Sequence, residues 1–165
     1  MEDVMIDKDE SKMDIENTDG DILASRWGRL GASLIDCLTI IPITLPLMYF
    51  TGGFDDISEG IEPSLFYTLA ISLVGVALFL LIHGKFLVRD GQTLGKKALN
   101  IKIVTVAGQH ADVTTLAKRY GFSWLIPLIP VIGPIINMVN ILFIFTKSKR
   151  CLHDHVGETK VINSN

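Results

Sequence analysis

The run Arg26–Phe50, RWGRLGASLIDCLTIIPITLPLMYF, constrains this chain more than any other stretch. From Leu30 to Phe50 it is long enough to cross a hydrocarbon core of about 30 Å as a helix. Its only charged residue over that length is Asp36. An aspartate at the centre of a membrane helix costs about 2.5–3.5 kcal/mol. The carboxylate therefore needs a partner, a proton or a task. Pro42 and Pro46 would break a helix in water but are tolerated, usually with a kink, in a membrane helix. Ser25 is placed to cap this helix, Arg26 and Arg29 to sit at the membrane edge, and Trp27 to anchor at the interface.

Two more apolar stretches follow. Leu65–His83 has no charge and is about long enough to cross. Its Ser72, Gly75 and Ala77 are small enough for close helix packing, and His83 is expected at its far end, near the interface. Tyr120–Phe145 is interrupted by Pro127, Pro130, Gly133 and Pro134. Loop 51–64 carries Asp55, Asp56, Glu59 and Glu62 and no Lys or Arg, whereas 85–119 holds seven basic residues and two acidic ones. The excess of Lys and Arg in cytoplasmic loops puts 51–64 outside and 85–119 inside, with an inside N-terminus. A single crossing by the third stretch would leave Lys147, Lys149 and Arg150 outside. A re-entrant hairpin bent at the prolines would keep them inside. The charge rule favours the return, although the length also suffices for one crossing.

The expected fold is an all-α membrane protein. It has two to three transmembrane helices, a small cytoplasmic β-hairpin and a Pro-broken last apolar segment. The hairpin would run from a β-branched strand at Leu99–Val106 through a turn at Ala107–His110 to a short return at Ala111–Val113. A short helix would begin at Thr114 or Thr115 and carry Lys118 and Arg119. Thr159–Ile162 is a further candidate strand. Residues 1–21 hold nine acidic residues against Lys8 and Lys12, without an aromatic. They read as an acidic disordered tail, leaving 22–162 as the membrane domain. The acidic lead-in and the lack of a small-residue cleavage site argue against a cleaved signal peptide. Cys37 and Cys151 are expected to be free thiols.

The chemistry-bearing patterns are few. Gly91–Lys97 is not a phosphate loop, because Gly91 and Gly95 enclose three residues and Lys96 is followed by Lys97. It reads as a tight turn feeding the strand, with Lys96 and Lys97 touching anionic headgroups. His153, Asp154 and His155 are good ligand types, but no second cluster lies at ligand spacing, so no metal site is expected. Asp154 is better suited to capping a turn or pairing with a base such as Arg119. No nucleophile–base arrangement points to an enzyme, no cofactor is implied, and the membrane-flanking basic residues argue against nucleic acid.

Four stretches together resemble the RDD family of small bacterial membrane proteins, named for one arginine and two aspartates. They are Arg-Leu-Gly-Ala-Ser-Leu-Ile-Asp at 29–36, Gly-Gln-Thr-Leu-Gly-Lys-Lys at 91–97, Arg119 before the last apolar stretch, and Leu-His-Asp-His-Val-Gly-Glu-Thr-Lys-Val at 152–161. One departure is Gly157-Glu158-Thr159, where the family usually has Ala-Gly before the threonine. The resemblance implies a bacterial inner-membrane location and transport of unidentified ligands, in some relatives sodium or potassium against protons. On that reading Arg29, Asp36 and Asp154 are the charges of an ion or solute path, supported by Ser33, Arg119, Gly91, Thr93 and Gly95. A cation or proton would be carried at Asp36.

Arg29, Ser33 and Asp36 share one helix face. Asp36 nevertheless lies about 10 Å beyond Arg29 along the axis, so an intrahelical Arg29–Asp36 bridge is not expected. Arg29 would reach headgroups or another segment, and Asp36 would find its partner elsewhere. Two or three helices are too few to enclose a path, which implies a homo-oligomer or a membrane partner alongside the bilayer itself. The competing reading is a non-transporting accessory or scaffold, in which the charges only fix packing.

Overall fold

The computed structural model describes residues 22–129, 132–146 and 148–164. The acidic segment 1–21 lies outside the described residues. Two long helices, α1 (Arg26–Phe50) and α3 (Leu65–Asp90), are long and apolar enough to cross a membrane. Ser25 caps α1 by accepting from the Gly28 amide at 2.9 Å, and Ser64 caps α3 by accepting from Tyr67 N at 3.2 Å. Very little of either helix is buried inside the protein. Leu34, Leu38 and Leu45 on α1 and Phe66, Leu73 and Leu81 on α3 are exposed. A helix of a soluble core would bury such side chains, whereas lipid solvates them.

The 51–64 connection contains one short helix, α2 (Gly53–Ser58), rather than loop alone. Thr51 Oγ1 and Tyr67 Oη hydrogen-bond at 2.8 Å, holding the ends of α1 and α3 together there. At the opposite end, α3 continues two turns past His83 to Asp90, and the His83 side chain is fully buried within the protein. Gly91, at φ +66°, ends the helix in the left-handed conformation that glycine adopts without steric cost. Its carbonyl accepts from Ile103 N at 2.8 Å.

The segment 91–129 then builds a cap on that end. Thr93 caps a five-residue helix, α4 (Leu94–Ala98), which leads into strand β1 (Ile101–Thr105). The expected local hairpin does not form as read. Residues 111–113 do not return as a strand; Val104 and His110 make one isolated bridge, and Asp112 instead caps α5 (Val113–Leu125). Strand β1 pairs antiparallel with β2 (Thr159–Asn163), with Ile103 opposite Val161. The far strand wins because it brings a buried side chain at Val161, while Ala111 is too small and Asp112 too polar to continue a ladder. On the other edge of β2, Ala24 N donates to Val161 O at 3.0 Å, so the lead-in to α1 is tied to the C-terminus. Ala24, Ala32, Leu87, Ile101, Ile103, Leu116 and Val161 form the core beneath this sheet.

The third apolar stretch is broken. Helix α5 gives way to a 3-10 turn at Ile126–Leu128, and α6 (Ile132–Leu142) follows, ending in a second 3-10 turn at Phe143–Phe145. Both its ends lie at the cap. Arg119, just before it, and the Lys149 carbonyl, just after it, belong to one hydrogen-bond network with Arg29. Both ends of the stretch therefore lie at the end of the molecule where α1 starts, the placement that the re-entrant reading requires. The last helix is α7 (Leu152–Val156).

The Gly157-Glu158-Thr159 departure has a structural cost. Glu158 sits at φ +49°, a conformation that costs an ordinary residue about 1–2 kcal/mol and glycine little. Glu158→Gly should therefore stabilise the detergent-solubilised protein by about 1 kcal/mol, read as a rise in thermal midpoint. An unchanged or lower midpoint would contradict this backbone assignment.

Candidate functional site

The signature residues form two buried clusters at the cap end of the spans. The first is centred on Asp154, whose side chain is fully buried. Helix α7 places it, since its Oδ2 accepts from Cys151 N at 2.8 Å across the first turn. Oδ2 also pairs with Arg29 of α1 and Oδ1 with Arg119 of α5. Arg119 donates further to Thr159 Oγ1 at 2.6 Å, and Arg29 to the Lys149 carbonyl. Arg150 hydrogen-bonds the carbonyls of Thr159 and Asp154 at 2.9 and 3.2 Å. The expected Arg119–Asp154 pairing is present, but within a triad that includes Arg29.

His153 completes this cluster in its neutral form. Burial, then the charges of Arg119 and Arg29, push it down to about 2. The hydrogen bonds agree. Asn140 Oδ1 lies 2.9 Å from Nδ1, which must therefore carry the proton, and Nε2 accepts from Arg119 at 3.1 Å. Burial also lowers the Arg119 guanidinium to about 10, so it stays charged at neutral pH. Donor atoms of Cys151, His153 and Asp154 lie within 4.8 Å of one another. Two guanidinium groups already use the Asp154 and His153 donors, and their positive charge opposes a metal cation there.

The second cluster is centred on Asp36. Its Oδ2 accepts from Thr93 Oγ1 at 2.6 Å and its Oδ1 from Gly95 N at 2.7 Å. Both donors belong to the start of α4, where free amides and a positive dipole end favour an anion. Gly95 is required because a Cβ there would collide with the Ala32 carbonyl and crowd Asp36. His83 Nδ1 is 3.8 Å from Asp36 Oδ1 and accepts from Leu94 N at 3.3 Å, which leaves the ring proton on Nε2 facing Thr39 Oγ1 at 3.2 Å. Lys96 Nζ is 3.9 Å from Asp36 Oδ2. Lys96 is thus a buried partner of Asp36 and not a headgroup contact, while exposed Lys97 lies over the Phe86 ring at 4.7 Å.

Arg29 and Asp36 make no direct bridge, as their axial separation implied. Ser33, between them, turns its hydroxyl back to the Arg29 carbonyl at 3.1 Å. Gly91 stands apart from both clusters and serves the α3–β1 junction. Between the clusters lies a cavity of about 410 Å³. Arg29, Asp36, Lys96 and Arg119 contribute its charged lining, and Phe79, Tyr120 and Trp124 an aromatic wall.

The arrangement places the arginine and the aspartate of α1 in the lining of one cavity, with the aspartate of α7 behind it, paired with that arginine. The sequence model of the RDD family matches residues 23–158. The chain belongs to the RDD family. No curated relative and no solved structure matches it. Membership and the two lipid-exposed apolar helices make it a membrane protein. In this RDD protein, His83, Lys96, Asn140 and Tyr120 are site residues that spacing alone did not bring together with the signature charges. The available signal for Lys96 was Thr93, an N-cap residue that starts a helix turn whose Gly95 amide reaches Asp36.

Removing Asp154 would strand two buried guanidinium groups. Asp154→Ala should cost about 3–5 kcal/mol, seen as loss of folded protein in size-exclusion and thermal-shift assays. Exchanging Arg119 and Asp154 should not rescue it, because an arginine at 154 would face Arg29. Full recovery in the exchanged variant would contradict the triad.

Proposed function

We propose that this RDD protein binds an ion or small solute in the cavity between the two clusters and moves it across the bacterial inner membrane, with the N-terminus in the cytoplasm. The observation that carries the reading is the cavity itself, with the Asp36–Lys96 pair in its lining at a separation of 3.9 Å. That distance is beyond a hydrogen bond, so either charge can be engaged by a third group at modest cost. Two spans and one re-entrant segment do not enclose a path, so a homo-oligomer or a membrane partner completes it. The reading needs no covalent chemistry and no cofactor, and on it the protein is not an enzyme.

Its finer form, a cation exchanged for a proton at Asp36, asks more of this carboxylate. Both oxygens already accept a hydrogen bond from α4, so exchange at Asp36 would include loosening α4 from α1. The same observation favours the second reading, an accessory or scaffold protein in which Asp36 only locks the cap.

The purified full-length protein in proteoliposomes, carrying a pH-sensitive dye and challenged with gradients of sodium, potassium and organic-anion salts, separates the two. Transport predicts protein-dependent flux of one solute that falls at least about tenfold in folded Asp36→Asn. Absence of flux for every salt, with the protein folded, would leave the accessory reading. Undiminished flux in Asp36→Asn would remove Asp36 from the mechanism.

A further inference from the structure

We infer that the cavity is an anion site whose occupant is a small organic anion, a carboxylate or phosphate carried on an apolar or aromatic body. The inference rests on the solute-binding reading above and names its substrate class. Charge is the first ground. Arg29, Lys96 and Arg119 line the cavity, and against these three cations stand Asp36 in the lining and Asp154 behind it. His153, also in the lining, is neutral. An excess buried positive charge is costly until an anion balances it.

The second ground is unmet hydrogen-bonding capacity at the cavity. The Lys96 side chain is only 9% exposed, and its nearest carboxylate oxygen is 3.9 Å away. An ammonium group has three protons to donate, and among the described residues none of them makes a hydrogen bond. The Tyr120 hydroxyl is buried and its proton finds no acceptor; the Arg119 guanidinium beside it can only donate to the phenol oxygen. A carboxylate or phosphate oxygen would accept from both kinds of donor. A cation, by contrast, would meet one carboxylate in the lining, Asp36, whose oxygens are already used, beside three fixed positive charges.

The walls specify the rest of the ligand. Phe79 packs on Tyr120 with ring centroids 5.1 Å apart and on Trp124 at 5.4 Å. These rings suit an aromatic or aliphatic body, and about 410 Å³ falls within the size of small-molecule sites. The anion could be a free organic acid or the headgroup of an anionic lipid.

The test uses the full-length protein in phosphatidylcholine nanodiscs, with exposed Trp27 changed to Phe so that Trp124 reports alone. Phenylacetate, benzyl phosphate, phenethylammonium and sodium chloride are titrated in turn. The expected result is a saturable change in Trp124 fluorescence with the two aromatic anions and none with the cations. Tyr120→Phe removes only the hydroxyl and keeps the ring, should leave the thermal midpoint nearly unchanged, and should weaken anion binding about three- to tenfold. Lys96→Gln should weaken it by about tenfold or more, and Lys97→Gln should not change it. Phosphatidylglycerol added to the bilayer blocks phenylacetate if the occupant is a lipid headgroup and leaves it unaffected if the occupant is a free acid. Saturation by phenethylammonium or sodium instead of the anions would overturn the inference. So would failure of both anions to bind, or anion binding indifferent to Tyr120→Phe and Lys96→Gln. Anion binding without flux in proteoliposomes would keep the site and refute transport, and cation flux without anion binding would do the reverse.

Discussion

One buried carboxylate, Asp154, takes hydrogen bonds from two guanidinium groups, Arg29 and Arg119. Each arginine comes from a different helix, and neither could be left in that environment without a counter-charge. The network therefore fixes where three segments meet. The start of α1, the start of the broken apolar stretch and the turn after it must lie together at one end of the spans. The two-stranded sheet follows from the same geometry, because α7 delivers the chain directly into β2 and β2 lies between β1 and the lead-in to α1.

Asp36 has a parallel role further along α1. It is the acid in the apolar run, and its cost is offset by the hydroxyl and amide at the start of α4 and by the nearby Lys96 ammonium. The two clusters hold the cap against the spans from opposite sides of a cavity. The charges in and just behind its lining, three cations to two carboxylates with a neutral histidine, give that cavity its character. Charges that stabilise the fold thereby also set what the cavity favours, and no single residue needs to be wholly structural or wholly functional.

Much of this was legible in the sequence. The spans were readable because lipid demands a long uninterrupted apolar run, and the N-cap at Ser25 because capping is local. The separation of Arg29 from Asp36 followed from helical rise alone. The return of residues 120–146 could be argued from the prolines and from Lys149 and Arg150. Other features were not legible because they depend on distant pairing. The partner of β1 lies beyond the entire broken segment, so a local hairpin looked equally suitable. The reach of α3 past His83 was hidden by Lys85 and Arg89, which mark the end of apolar sequence and not the end of a helix. The burial of Lys96 was concealed for the same reason, since a lysine beside a second lysine reads as surface until Asp36 is found facing it.

The account stands on both ends of the 120–146 segment lying on one side of the bilayer. Single cysteines at Gln109, Ser148 and Glu59, all exposed positions, can be introduced into a Cys37→Ala, Cys151→Ala background and probed with an impermeant thiol reagent in oriented vesicles. The account predicts that positions 109 and 148 react from the same side and position 59 from the other. Labelling of 109 and 148 from opposite sides would separate Arg119 from Asp154 and contradict the shared carboxylate on which the fold and the cavity depend.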